Sequence, residues 1–331
     1  MRRVWLLGGG ALLLLIFGTE MVLRLGLGLG DPPLSVRDPK VDYLLKPSQT
    51  YQRFGMVYSV NAYGMRARDP SPTKEPCEFR VLVVGDSVLN GGAVVDQRVI
   101  ATSVAERKLA DALRRPIWVA NISAGGWAPE HQKAYLERFG WFDADVAVFV
   151  LSTHDLHQRA AFHPDMGPNF PAQAPPLALF EAVERYLPRY VPFVAQFLPV
   201  PEEGIARPGV DDPKAAEAIL TDLLAEARSK TKQVVVLHHR TLEELSGDAP
   251  PDEIKDGERL REIALAGGAA YLDLGPVERN PPGGETLYRD GIHLTAAGQA
   301  VLEGALTSGV IGVLAELAAG QPDSCRAAPA L

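Results

Sequence analysis

Only two cysteines occur in 331 residues, Cys77 and Cys325, too few and too far apart for a zinc finger, an iron–sulfur site or a CxxC redox pair. Positive charge is not in excess either: 33 Lys and Arg face 41 Asp and Glu, a formal net charge of −8. With no basic stripe along the chain, nucleic acid is not the expected partner. The histidines are also sparse in pattern. His154, His157 and His163, with Asp155 and Asp165 nearby, match no metal-ligand spacing, so neither a metal nor a cofactor is expected.

Charge is missing altogether from Val4–Thr19, which follows Arg2 and Arg3. As a helix it would reach about 24 Å, short of a hydrocarbon core of roughly 30 Å. Continuing through Glu20 and Arg24 to Leu29 gives about 39 Å, enough to span with tilt, and the two charged residues stand four apart where they can pair. Because no Ala-x-Ala-like site follows Phe17, residues 1–29 read as an uncleaved anchor rather than a removed signal peptide. The expected location is the inner membrane, single-pass, with the main domain in the periplasm or exterior.

Hydrophobic residues make up 47% of the chain and charged residues 22%, which suits one sizeable globular domain with appendages. Residues 30–76 are Pro-rich and polar and read as extended chain packed along that domain. The domain itself is expected over 77–320, followed by a tail at 321–331. Short apolar runs at Phe79–Val84, Ile117–Ile122, Val146–Leu151, Val234–Leu237 and Ala270–Leu274 read as buried parallel strands. Helical patterns lie between or after them, at about 97–114, 129–139, 213–230, 252–266 and 295–317. Their alternation predicts an α/β fold, a three-layer doubly wound sheet of about five parallel strands. Residues 157–213 interrupt the pattern with prolines and aromatics, Phe162 to Phe197 among them. They are expected as a cap beside the site, with a helix near Pro176–Tyr186.

In such a sheet ligands bind beyond the carboxyl ends of the strands. Ser87 stands at one of these ends, in Gly85-Asp86-Ser87, and far downstream Asp290 precedes His293 by three residues. A serine hydroxyl is a weak nucleophile until a base takes its proton, and a histidine base needs a carboxylate to fix its tautomer. The Gly-x-Ser-x-Gly elbow is absent, since Leu89 occupies the place of the second glycine. Another serine-hydrolase scaffold is required.

The motifs resemble those of the SGNH or GDSL hydrolases. Gly85-Asp86-Ser87 is similar to the first block of that family and Asp290-x-x-His293 to the fourth. Ala120–Trp127 places Gly126, or in the second register Gly125, at the glycine of the second. Ser152-Thr-His-Asp155 stands where the third block has Gly-x-Asn-Asp, so His154 replaces the asparagine. Asn61-Ala-Tyr-Gly-Met-Arg66 resembles the lead-in of membrane-anchored bacterial members. The resemblance spans roughly 57–310. It implies a flavodoxin-like SGNH fold, a catalytic set of Ser87, Asp290 and His293, and an oxyanion hole formed by the backbone N–H groups of Ser87 and Gly126 with His154 as third donor. It further implies an esterase acting on an acylated, in one form acetylated, carbohydrate or lipid outside the cytoplasm. An O-acyltransferase on the same triad, or a non-catalytic carbohydrate-binding or assembly protein, shares these residues.

Two further expectations concern residues outside the motifs. Cys77 precedes the first strand and Cys325 follows the last helix, which returns to the edge of the sheet opposite the site, so the two can meet as a disulfide. His238 and His239 end the fourth strand, and adjacent residues point to opposite faces. They read as rim or structural residues.

Overall fold

Strands that are apolar on both faces must be covered on both sides. In the computed structural model, which describes residues 2–158, 160–162, 167, 169–191, 193, 205–206 and 214–325, five such strands form one parallel sheet. They are β1 (Phe79–Gly85), β2 (Ile117–Ser123), β3 (Val146–Leu151), β4 (Gln233–His238) and β5 (Ala270–Asp273), hydrogen-bonded in the order β2-β1-β3-β4-β5. Each expected strand end falls within one residue of the observed one. The order reverses between β1 and β3. This is the flavodoxin-like doubly wound arrangement, and sheets of this kind bind ligands beyond the ends of the two strands where the order reverses.

Among the described residues, six long helices accompany the sheet: α1 (Arg2–Leu27), α2 (Ala101–Leu113), α3 (Pro129–Phe139), α4 (Lys214–Lys230), α5 (Pro251–Ala266) and α6 (Ala296–Ala319). The period-two alternation of β1 assigns the layers. Val81 and Val83 pack with Ala105 and Leu109 of α2 and with Leu302 and Leu306 of α6. Leu82 and Val84 join a second cluster with Tyr135 of α3, Leu220 of α4 and Leu260 of α5. Both α1 and α6 are long and apolar enough to cross a membrane. In α6, however, Leu302, Leu306, Val310 and Leu314 are buried in the core, whereas α1 is almost wholly exposed.

The 30–76 stretch, expected as extended chain, holds two antiparallel hairpins, Ser35–Asp38 with Asp42–Leu45 and Gln49–Arg53 with Met56–Val60. Phe54 and Gly55 both have positive φ, 50° and 76°, the backbone that a two-residue hairpin turn requires. Tyr43, Leu44, Tyr51, Tyr58 and Val60 enter the same cluster as α3, α4 and α5. Strands of four or five residues are too short to announce themselves by alternation.

Within the expected cap, the described residues are helical at Ala178–Glu181, widen to a π-type turn over Ala182–Tyr186, and are helical again at Leu187–Tyr190. The widening precedes Pro188, which has no N–H for the helical ladder. His163, Asp165 and Phe197 lie outside the described residues. Cys77 and Cys325 are bonded, with their Cα atoms 5.3 Å apart, and tie the approach to β1 to the segment after α6.

Candidate active site

β1 ends at Gly85, where close packing calls for glycine: a Cβ there would lie 3.1 Å from Leu89 and from the Val150 carbonyl oxygen of β3. The chain then turns into a single helical turn, Ser87–Asn90, capped by Asp86, whose Oδ1 accepts the Val88 N–H at 2.8 Å. Ser87 is thereby presented, half-buried, at the carboxyl end of a central strand.

His293 meets it there. Its Nε2 lies 2.9 Å from Ser87 Oγ, and its Nδ1 lies 2.9 and 3.0 Å from the two carboxylate oxygens of Asp290. Asp290 also accepts the backbone N–H groups of Ile292 at 3.1 Å and His293 at 2.8 Å. Burial alone would raise its pKa, but these N–H donors and the imidazole outweigh it and hold the carboxyl below its usual range. The three side chains thus form one hydrogen-bonded line, Asp290–His293–Ser87.

The loop after β2 carries Gly126 with φ of 73° and no heavy atom within 4 Å of a notional Cβ. Backbone conformation, rather than crowding, calls for glycine here. The carbonyl of Gly125 accepts the Tyr43 hydroxyl at 2.6 Å, and that of Gly126 accepts Gln158 Nε2 at 3.1 Å. Among the described residues, the backbone N–H groups of Ser87 and Gly126 donate to no protein acceptor. Gly125, in contrast, is closed in by Phe170 and Tyr43, which favours Gly126 as the glycine facing open space.

His154 leads out of β3 with its Nε2 3.3 Å from Asp86 Oδ2. The carboxylate that caps the serine turn is therefore also the partner of His154. Burial lowers the imidazole pKa, but Asp155 and Asp86 more than reverse this and lift it to about 9. Asp155 is itself buried; its Oδ2 accepts the Ser152 N–H at 2.8 Å, while its Oδ1 has no protein partner. Burial and the nearby Asp86 push it up to about 7, against the pull of His154. Beside this group opens a cavity of about 480 Å³ lined by Thr153, His157, Thr241, Glu253 and Asp256. Among the described residues no group of three or more His, Cys, Asp or Glu could hold a metal ion.

Residues 83–301 match the model of the GDSL-like lipase/acylhydrolase family. The chain belongs to this family. Its members are lipases and acylhydrolases by description, and the chain is accordingly a hydrolase acting on ester bonds. A search of curated proteins finds no match. Among solved structures, LAE5, an α/β hydrolase from the metagenome of Lake Arreo, Spain, is similar at 15% identity and a TM-score of 0.46, over 71% of this chain and 96% of that one. A lipase/acylhydrolase from Enterococcus faecalis gives 15% and 0.45, over 71% and 96%. A catalytic mutant of Axe2, an acetylxylan esterase from Geobacillus stearothermophilus, gives 14% and 0.44, over 71% and 94%.

Two supports of the site in this family member escape sequence reasoning. The first is Arg66, at the end of the lead-in motif and fully buried. It donates to the carbonyls of Asn90, Gly92 and Val95 at 2.6, 2.9 and 3.0 Å and stacks over Tyr58, 4.1 Å from the ring centre. It thus fastens the segment that follows Ser87. The second is His239, buried with Glu278. Its Nδ1 lies 2.5 Å from Glu278 Oε1 and its Nε2 2.8 Å from the Ile292 carbonyl oxygen. Burial lowers its pKa, but the Glu278 carboxylate reverses this and raises it. Both ring nitrogens face acceptors, so both donate when the ring is an imidazolium. Glu278 sits in no motif; the only signal was a pair of histidines at a strand end.

Proposed function

We propose that the protein is a membrane-anchored serine esterase that removes acyl groups, acetyl among them, from a carbohydrate or lipid outside the cytoplasm. The observation that carries the reading is the hydrogen-bonded line Asp290–His293–Ser87. Ser87 Oγ attacks the ester carbonyl carbon as its proton passes to His293 Nε2, and Asp290 stabilises the resulting imidazolium. The negative oxygen is met by the N–H groups of Ser87 and Gly126, with His154 as a third, charged contributor. Collapse breaks the bond to the leaving alcohol, which takes the proton from His293. Water, deprotonated by the same imidazole, then releases the acid from the acyl-serine and restores the hydroxyl.

A fluorophosphonate tests this reading. Wild type should be labelled at Ser87 and Ser87→Ala should not be; failure to label wild type, under conditions that label a related esterase, would overturn it and leave a non-catalytic member of the family. The cavity beside His154 offers hydroxyl and carboxylate partners that suit an acceptor alcohol as well as a leaving one. This favours an O-acyltransferase as the second reading. Product analysis with a hydroxyl acceptor separates the two, since only a transferase yields acylated acceptor.

An apolar N-terminal helix and a disulfide together fit the secretory pathway. Retention of α1 as a single-pass anchor is supported by how its carboxyl end is built into the domain. Glu20 accepts the backbone N–H groups of Ala178 and Leu179 at 2.8 and 3.0 Å, Arg24 donates to the Pro176 carbonyl at 3.0 Å, and Arg53 donates to that of Gly28 at 2.9 Å. Cleavage would remove the Glu20 contacts. Mass analysis of the membrane-extracted chain decides the matter, because loss of residues 1–29 would contradict an anchor.

A further inference from the structure

Glu20 and Arg24 are the two charges inside an otherwise apolar helix, and the structure accounts for them. They pair with one another, Glu20 is buried, and both bond to the backbone at the start of the cap helix. Glu20 is therefore enclosed by protein, whereas Arg24 keeps 37% of its side chain exposed. The other side of this turn of α1 is different: Val22 and Leu25 are 66% and 78% exposed.

The exposed apolar surface does not end with the helix. Exposed apolar side chains also stand on the elements bonded to this end of α1: Leu177 and Phe180 of the cap, which flank or follow the residues that receive Glu20, and Met56 beside the hairpin turn. That turn is itself fastened to α1, since the Phe54 N–H donates to the Leu27 carbonyl at 2.9 Å. A buried ion pair, Arg53 with Glu181, locks hairpin and cap to each other. Two elements from separate parts of the chain thus surround the base of α1 with apolar side chains.

Helix length says what covers them. A hydrocarbon core of about 30 Å takes roughly 20 helical residues at 1.5 Å each. With Arg2 and Arg3 at one headgroup layer, the other boundary falls near Val22, at the turn that carries Glu20 and Arg24. We infer that the collar formed by Leu177, Phe180 and the Phe54–Met56 turn embeds in the outer leaflet around α1, a lipid-contact surface of the catalytic domain. This rests on the reading of α1 as a membrane anchor. Apolar side chains held at the boundary gain burial in the acyl region, while Glu20 stays in protein and the exposed part of Arg24 reaches the headgroup layer. The collar also lies close to the site along the chain: Phe170, against Gly125, is only seven residues before Leu177.

The test uses the full chain in phosphatidylcholine vesicles containing a phospholipid with a diazirine near the headgroup. After irradiation, adducts are mapped on peptides. Expected are adducts on α1, on the Leu177–Phe180 peptide and on the Phe54–Met56 peptide, with the peptide of Ile254, 54% exposed on α5, unlabelled. Phe180→Glu should lose cap adducts and keep those on α1. Adducts on α1 alone would overturn the collar while leaving the anchor intact, as would labelling of the Ile254 peptide as strong as that of the cap. If α1 itself stays unlabelled, the anchor fails and the collar around it fails too.

Discussion

Nε2 of His293 lies 2.9 Å from Oγ of Ser87 across 206 residues of sequence. Neither residue reaches this position through its own motif alone. The serine turn is fastened by Arg66, from the segment before the sheet, and the histidine loop by His239, from the end of β4. The contact is therefore a property of four segments, and each can be perturbed separately.

Removing the acid of the line should slow the chemistry without unfolding the protein, because Asp290 is half-exposed, at 51% of its side chain. Asp290→Asn is expected to lower kcat by about 10²- to 10⁴-fold, the usual worth of general acid–base catalysis, with Tm nearly unchanged. Steady-state kinetics on a chromogenic ester checks this.

His154 is expected to act as a cation. Its raised pKa, about 9, means that protonation favours the folded state. That contribution is complete below the ordinary histidine value of about 6.5 and is lost as pH rises through about 9. The labelling rate of Ser87 should fall near pH 9 in wild type, and this limb should be missing in His154→Asn. The asparagine variant, which retains a donor, should preserve activity, whereas His154→Ala should lose about 100- to 1000-fold if the position serves the oxyanion.

The His239–Glu278 pair predicts a stability effect that carries into the site. Glu278→Ala leaves the buried His239 ring without its carboxylate partner and should cost about 1–3 kcal/mol in denaturant unfolding. In wild type the raised pKa of His239 makes its contribution complete below about pH 6.5 and lost as pH rises through the raised value. The variant should lack that pH dependence. In the folded variant, slower labelling of Ser87 would report the displaced His293 loop.

Arg66→Ala strands the buried carbonyls of Asn90 and Val95 and the partly buried one of Gly92, a buried acceptor being worth about 1–3 kcal/mol when left unsatisfied. A loss of roughly 3 kcal/mol or more is expected, together with slower fluorophosphonate labelling. Arg66→Lys should recover only part of it, since an ammonium cannot reproduce the planar fork.

Reduction of the Cys77–Cys325 bond, which closes a loop of 248 residues in sequence separation, should lower stability by about 2–5 kcal/mol. Thermal melts with and without reductant measure it, and a Cys77→Ser variant should melt with the reduced wild type.

The sequence alone determined the sheet, because five apolar runs with helical patterns between them admit few arrangements other than a doubly wound one. It also pointed to Ser87, His293 and Asp290, which the fold brings into one hydrogen-bonded line, because a serine nucleophile demands particular residue types at strand ends. What it left open was everything that depends on contacts between distant segments. The hairpins of 30–76 were hidden by strands too short for a period to emerge. Arg66 was visible only as part of a lead-in, since nothing local says that its fork will close on three carbonyls some 25 residues away. Glu20 and Arg24 looked like blemishes in an apolar helix, and only the packed cap shows them as its attachment. His154 stood out as a departure from the expected asparagine, but its charge is set by Asp86 and Asp155, which the fold brings around it. Residue type and local periodicity are written along the chain, whereas the field at a side chain and the partners of a buried polar group exist only once the tertiary structure has formed.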